Sequence, residues 1–360
     1  MSVRLKPLTQ QTIVITGATS GIGLTTARMA AKAGARVMAV SRDEQALQSL
    51  QDELTAAGGL AAYAVADVSD EAALNGVVEQ TVARFGRIDT WVNNAAVAIY
   101  GRVDEVTTDD ARRLFDVNFW GQVYGARAAV RHFRSRGDDN GGYGFALVNV
   151  GSVVSERVMP LQGYYGASKH AVRGFTDALR MELEEAGVPV SVTLIKPASI
   201  DTPFVQHAKN YMDREPNYPP PVYTPDVVAR AILHAAVHPT REMYAGGGGP
   251  MISLLATLAP RLVDRWMERS LFQQQQQDAP SHQGDALREP GRHGMEERGN
   301  YPGHVMRSSL YTQASMHPVL VGLAVGAVGI VAAGALSRRA LPTRRQTTWA
   351  GRAARALTRS

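Results

Sequence analysis

The chain begins with a repeating alternation of two hydrophobic patterns. Short runs of β-branched and small apolar residues are each followed by a longer stretch whose apolar positions recur every three or four residues. Thr12–Thr16, Arg36–Val40, Ala61–Ala66, Thr90–Asn93, Ala146–Val150 and Val190–Ile195 read as strands, with Glu242–Tyr244 as a short closing strand. Helical spacing covers Ile22–Ala33, Asp43–Ala57, Glu71–Phe85, Thr108–Ser135 and Gly163–Ala186. Continuously apolar strands separated by amphipathic helices predict a parallel sheet covered on both faces. Residues 1–245 are therefore expected to form one α/β domain, a Rossmann-type doubly wound parallel sheet.

The pattern changes after Tyr244. Gly246–Gly249 reads as a break, and 246–272 as a helical extension. Met251, Leu254, Leu255, Leu258, Leu262, Val263, Trp266 and Met267 are helically spaced, with Arg261, Asp264, Arg265, Glu268 and Arg269 between them. Pro260 is expected to kink or restart this helix. Residues 273–317 begin with Gln273–Gln277 and are rich in Gly, His and Arg but poor in aliphatic side chains, a composition expected of a disordered linker. Val319–Leu336 is then apolar and uncharged, about 27 Å as a helix and long enough to span a bilayer core. The reading assigns 318–337 to a transmembrane or membrane-inserted helix, with Gly322 and Gly326 as a close-packing pair, and 338–360 to a basic tail.

Composition narrows the chemistry. The 360 residues contain no cysteine, which excludes disulfides, thiolate catalysis and Cys-ligated metal sites. The net charge of +5 does not point to nucleic acid, because the excess is concentrated in Arg338, Arg339, Arg344, Arg345, Arg352, Arg355 and Arg359, next to the apolar run. No leader pattern precedes the first strand.

Candidate chemistry lies at strand ends. Thr16-Gly-Ala-Thr-Ser-Gly-Ile-Gly23 follows the first strand and opens the first helix. Gly17, Gly21 and Gly23 permit a tight turn, and the helix N-terminus offers free N–H groups to a pyrophosphate. Thr19, Ser20 and Ile22 belong to the same turn. After the second strand, Arg42 stands where a carboxylate would hold the ribose hydroxyls of NAD, and a guanidinium there suits a 2′-phosphate. NADP(H) is thus expected over NAD(H), while Asp43 is read as a helix cap. Tyr165 and Lys169 are four residues apart, about one helical turn, so they project from one face. A nearby ammonium favours phenolate over phenol. Tyr164 lies well round the helix. Taken alone, the Tyr-x-x-x-Lys spacing is also an ordinary accident of helix surfaces.

Several motifs in order give this chain a resemblance to the short-chain dehydrogenase/reductase family across Thr9 to Tyr244. They are the glycine turn, Asp67-Val68, Asn93-Asn94-Ala95-Ala96, Asn118 in Asp-Val-Asn-Phe-Trp-Gly, Ser152, Tyr165 with Lys169, and Pro197-Ala-Ser-Ile-Asp-Thr202. The resemblance implies that Tyr165 is the general acid/base and that Lys169 lowers its pKa and binds the nicotinamide ribose. It implies that Ser152 bonds the substrate oxygen, and that Asn118 holds a water in a proton relay. Ser155 fits the family spacing less well than Ser152. By the same resemblance Asp67 and Val68 face adenine, Asn94 belongs to the cofactor site, and Pro197, Ile200 and Thr202 hold the carboxamide. Ala96 and Ala198 replace family glycines, and would be strained if either position required a positive φ.

The expected function is reversible hydride transfer between NADP(H) and a small apolar alcohol or ketone. A non-catalytic nucleotide sensor or membrane-tethered scaffold is the alternative, and an epimerase or dehydratase that retains its cofactor is a third. Tyr211, Tyr218 and Tyr223 within Phe204–Tyr223 are read as aromatic residues of a substrate loop. Met251–Phe272 is left open between a lid, a dimer contact making a homo-oligomer, and an interfacial membrane helix. The protein is expected at a membrane with its catalytic domain facing the cytoplasm. The arginines after Leu336 place the C-terminus on that same side, which a single span cannot satisfy.

Overall fold

The computed structural model describes residues 3–137, 140–281, 284–291 and 294–317. Seven parallel strands form the central sheet: β1 (Thr12–Thr16), β2 (Arg36–Ser41), β3 (Leu60–Val65), β4 (Thr90–Asn93), β5 (Phe145–Val150), β6 (Val190–Pro197) and β7 (Glu242–Ala245). Their spatial order is β7-β6-β5-β4-β1-β2-β3. The order reverses between β1 and β4, and in such sheets the crevice at the carboxyl ends of these two strands is the binding position. Strands β1, β4, β5 and β6 are buried along their whole length, which is why they read as unbroken apolar runs.

Helices α1 (Gly21–Lys32), α2 (Glu44–Ala56), α3 (Glu71–Phe85), α4 (Thr108–Phe115), α5 (Gly121–Arg136), α6 (Gly163–Glu185) and α7 (Pro225–Val237) wrap the sheet. Two apolar cores result. One packs Leu24, Leu47, Leu50 and Ile232 on one face, and the other packs Trp91, Phe133, Phe145 and Leu147 on the opposite face. Local signals set the boundaries. Asp43 caps α2 by accepting the Ala46 N–H at 3.0 Å, as its position suggested, and Asp70 caps α3 from the N–H groups of Ala72 and Ala73.

The structure departs from the periodicity in one helix. The stretch read as continuous over Thr108–Ser135 contains a π-helical turn, Asp116–Trp120, between α4 and α5. Such turns leave the regular hydrogen-bond ladder locally and are frequent at functional sites. Asn118 lies at its centre. The hydrophobic spacing on either side is nearly unchanged, so nothing in the periodicity announces it.

The extension also differs. Pro260 does restart the helix, giving α8 (Gly249–Leu258) and α9 (Pro260–Gln274) with Ala259 as the joint. Val263, Met267 and Leu271 of α9 pack against Met159, while Met251, Leu254, Leu258, Leu262 and Trp266 face outward. The described residues of 273–317, expected to be a disordered linker, are instead laced to the domain. Gln276–Pro280 pairs antiparallel with Arg214–Pro216, and Val305–Met306 pairs parallel with Val222–Tyr223. Leu287 is fully buried, and α10 (Leu310–Met316) packs on β7 and α7. Composition misleads here because the segment needs no core of its own. It borrows apolar surface and backbone partners from the domain. No helix among the described residues is long and apolar enough to cross a membrane. The apolar run 318–337 and the basic tail lie outside them.

Candidate active site

The turn between β1 and α1 needs its glycines. Gly17 and Gly21 have φ of +66° and +51°, a region open to glycine at little cost. A Cβ on Gly23 would lie 2.0 Å from the Gly17 carbonyl oxygen. Asn94 ties the turn to the end of β4: its backbone N–H donates to Thr16 Oγ1 and its amide N–H to the Thr16 carbonyl, both at 2.9 Å. Thr19 pairs with Ser41 at 2.9 Å, and Ser20 precedes α1 without a capping bond of its own. These groups, with Ile22, Arg42, Asp67 and Val68, line one end of a continuous cavity. Ser152, Tyr165, Lys169, Pro197, Ile200 and Thr202 line the rest. The sequence-predicted residues therefore share one cavity, apart from Gly23 and Asn118, which support it from behind.

At the reacting end, Tyr165 and Lys169 are both buried on α6, as their spacing implied. The Lys169 Nζ lies 5.7 Å from the Tyr165 ring centre and donates to the Val150 carbonyl at 3.0 Å. Burial dominates both groups. It pushes the Tyr165 phenol up to about 12, opposed only by a hydrogen bond with Ser152, and pushes Lys169 down to about 7. The expectation that an ammonium lowers the phenol's pKa is thus corrected: losing water outweighs the proximity of the two groups. The Ser152 hydroxyl also accepts the Val154 N–H at 3.2 Å.

Asn118 is fully buried and braces three elements. Its Oδ1 accepts the Val97 N–H at 2.8 Å, and its Nδ2 donates to the Val97 carbonyl at 2.9 Å and to Ser168 Oγ at 3.2 Å. Both amide N–H groups are committed to protein partners, so this side chain locks the loop after β4 onto the helix that carries Tyr165 and Lys169. Ser155 is buried and donates to the Ser152 carbonyl at 2.5 Å, which fixes the turn bearing Ser152. The alanines in place of family glycines are unstrained, since Leu161 and Met295 are the described non-glycine residues at positive φ. Gly246 makes room for Ala198, because a Cβ there would meet the alanine's own Cβ at 2.6 Å.

Tyr218, one of the loop tyrosines read from the sequence, lines the cavity with its OH 3.2 Å from Thr202 Oγ1, and Phe204 lines it too. Tyr100, Met159 and Gln162 line the same space and were not picked out by sequence. Burial raises the phenols of both Tyr218 and Tyr100. Of the loop tyrosines expected to face a pocket, Tyr211 turns away and donates to Asp110 at 2.7 Å. Arg42 does not stand free. It donates to the carbonyls of Ala286 and Arg288 at 2.7 Å and of Glu289 at 3.0 Å, with Asp67 at 3.8 Å. Asp67 is itself bound by Arg113 at 2.5 Å and by Ser69. Among the described residues no cluster of His, Asp and Glu is arranged to hold a metal.

Residues 11–213 match the family model described as short chain dehydrogenase. The chain is 46% identical over 339 residues to the oxidoreductase YxnA of Bacillus subtilis (strain 168), covering 93% of each. An alignment that long takes in most of the C-terminal extension. It is 33% identical over 200 residues to a 3beta-hydroxysteroid dehydrogenase of Mediterraneibacter gnavus, covering 55% of this chain and 69% of the other. Among solved structures it is similar to the 3-ketoacyl-(acyl-carrier-protein) reductase of Brucella melitensis complexed with NADH. That match has a TM-score of 0.58 and 28% identity, over 66% of this chain and 98% of that one.

Proposed function

Because the chain belongs to the short-chain dehydrogenase/reductase family of NAD(P)-dependent oxidoreductases, we propose that it interconverts a hydroxyl and a carbonyl group on an apolar substrate, with NADP(H) preferred. The observation that carries this reading is that Ser152, Tyr165 and Lys169 meet in one cavity with the glycine turn. The cavity suits a dinucleotide: at the turn there are no side-chain atoms beyond Cα on Gly17 and Gly21, and α1 begins directly behind it. Gly17, Thr19, Ser20, Gly21 and Ile22 would take the pyrophosphate, Asp67 and Val68 the adenine, and Lys169, Pro197, Ile200 and Thr202 the nicotinamide end. When bound, the nicotinamide supplies or accepts the hydride.

The protein's own groups handle the proton. A phenol at about 12 is protonated at neutral pH, so Tyr165 is ready to donate to a carbonyl oxygen, and Ser152 can donate a second hydrogen bond to the same oxygen. Lys169, one helical turn away, and Asn118, through Ser168, position that phenol. Val97, Tyr100, Met159 and Phe204 give the substrate end an apolar lining. Turnover of a panel of apolar ketones and alcohols with each cofactor tests the reading. No turnover together with tight dinucleotide binding would favour the non-catalytic alternative.

The pH profiles follow in sign. Carbonyl reduction needs the protonated phenol, so its rate is expected to hold through neutrality and fall toward alkaline pH. Alcohol oxidation needs the phenolate and is expected to climb by up to about tenfold per pH unit. Parallel profiles in the two directions would remove Tyr165 as the proton carrier. Arg42 sets cofactor choice: Arg42→Ala is expected to lower the preference for NADPH over NADH in binding by about tenfold or more. An unchanged ratio of the two affinities would show that the 2′-phosphate is held elsewhere.

A further inference from the structure

The described residues 284–291 and 294–301 cross the nucleotide half of the cavity, opposite the glycine turn. Leu287 plugs this segment into the main apolar core. Arg42 gathers three of its carbonyls, and Arg113 donates to a fourth, that of Leu287, at 3.1 Å. At the glycine turn the backbones are joined twice. Met295 N–H donates to the Thr19 carbonyl at 2.7 Å, and Gly21 N–H donates to the Glu296 carbonyl at 2.9 Å. Ion pairs clip the segment down on both sides: Arg288 with Asp110 at 2.6 Å, Glu297 with Arg28 at 2.9 Å, and Arg298 with the buried Asp201 at 2.7 Å. Ala286, Pro290, Gly291 and Gly294 line the same cavity as Gly17 and Tyr165.

A segment that crosses the groove lies in the path of an extended ligand, so one wall must give way where the ligand passes beneath it. The inner wall is β1 and α1, whose strand residues are buried throughout. The outer wall belongs to no strand of the central sheet: it is held by the Leu287 side chain, by the carbonyl contacts of Arg42 and Arg113, by two backbone bonds at the glycine turn, and by arginines that are about half exposed, 47% for Arg288 and 53% for Arg298. Lifting the outer wall leaves the central sheet intact, whereas moving the inner wall would break it, so opening falls to the outer wall. We propose that the described residues 284–291 and 294–301 act as a strap that gates dinucleotide exchange, lifting for the cofactor to enter or leave and closing over it during turnover. The proposal rests on the dinucleotide reading of the groove. It assigns to Arg288 and Arg298 a positioning role at the cofactor site, although neither touches the reacting groups.

The absence of cysteine permits a direct test. A Cβ on Gly294 would lie 3.2 Å from the Ala46 Cβ, a few tenths of an ångström inside the disulfide distance of about 3.8 Å. In the double variant Ala46→Cys/Gly294→Cys, oxidation should staple the strap to α2. NADPH association, followed by fluorescence in a stopped-flow instrument, is expected to slow by at least about tenfold on oxidation and to recover with dithiothreitol. A variant preloaded with NADPH and then oxidised should release it correspondingly slowly. Equal rates in the oxidised and reduced forms would overturn the gate. Arg288→Ala/Arg298→Ala supplies an independent arm if the staple does not form or does not fold. NADPH release should then quicken by about threefold to tenfold, and unchanged or slower release counts against the strap. If the unmodified protein binds neither NADPH nor NADH, the dinucleotide reading falls and the gate with it. If it binds with rates indifferent to the strap, only the gate falls.

Discussion

Tyr165→Phe is expected to lower turnover by about 10²–10⁴-fold, or roughly 3–5 kcal/mol of barrier, while NADPH affinity stays within about twofold of the unmodified protein. The substitution removes one hydroxyl. The ring remains, packed 5.6 Å from Phe204 and inside the core of the substrate side. The lost hydrogen bond is with Ser152, which keeps a second partner in the Val154 N–H. Exchanging a buried phenol for phenyl is therefore close to neutral for folding. Steady-state rates beside a fluorescence titration of NADPH separate the effects. Surviving turnover would transfer the proton to another phenol, and Tyr218 and Tyr100 are the candidates lining the cavity. Burial raises both of their pKa values, and neither Tyr218 nor Tyr100 has Ser152 as a partner.

Gly23→Ala is expected to damage binding and stability together. The added Cβ would lie 2.0 Å from the Gly17 carbonyl oxygen and 2.7 Å from both Gly17 C and Asn94 Nδ2. No side-chain rotation relieves an overlap with backbone, so the β1–α1 turn must open. Forcing atoms into a packed site costs about 1–3 kcal/mol and more where backbone is involved. For a domain of this size, 3 kcal/mol lowers Tm by roughly 10 °C. The same opening pulls the turn from Asn94 and spreads the N–H groups facing the cavity, so dinucleotide affinity should fall by about 100-fold or more. Gly174→Ala is the matched control. It lies exposed in α6 with nothing within 4 Å of the added Cβ, and should stabilise by about 0.5–1 kcal/mol. Equal behaviour of the two variants in thermal melts would show that the close approach at Gly23 is not what the turn depends on.

Much of the candidate site is local in sequence. A helix fixes the relation of Tyr165 to Lys169, and a strand–turn–helix fixes that of Gly17, Gly21 and Gly23. Those relations were legible because backbone geometry alone sets them. The protonation of the same residues was not. The ammonium–phenol pairing inferred from spacing yields to desolvation, and desolvation depends on every element packed around α6. Asn118 divides in the same way. Its place on the helix after β4 was readable, while the π-helical turn and the amide contacts to Val97 and Ser168 required the neighbouring loop and helix.

Hydrophobic periodicity by itself determined the seven strands and their parallel direction, because burying both faces of each strand leaves few alternatives; the strand order that opens the crevice between β1 and β4 came with the tertiary structure. Only the tertiary structure decided the fate of the described residues of 273–317. A stretch poor in aliphatic residues cannot form a core, and sequence reasoning stops there. Given a finished domain, it can still be ordered by one buried leucine, by backbone pairing with Arg214–Pro216 and Val222–Tyr223, and by arginines that take up its carbonyls. Those partners lie from 60 residues away, for Pro216 and Gln276, to 247, for Arg42 and Glu289, which is why no local pattern announces them.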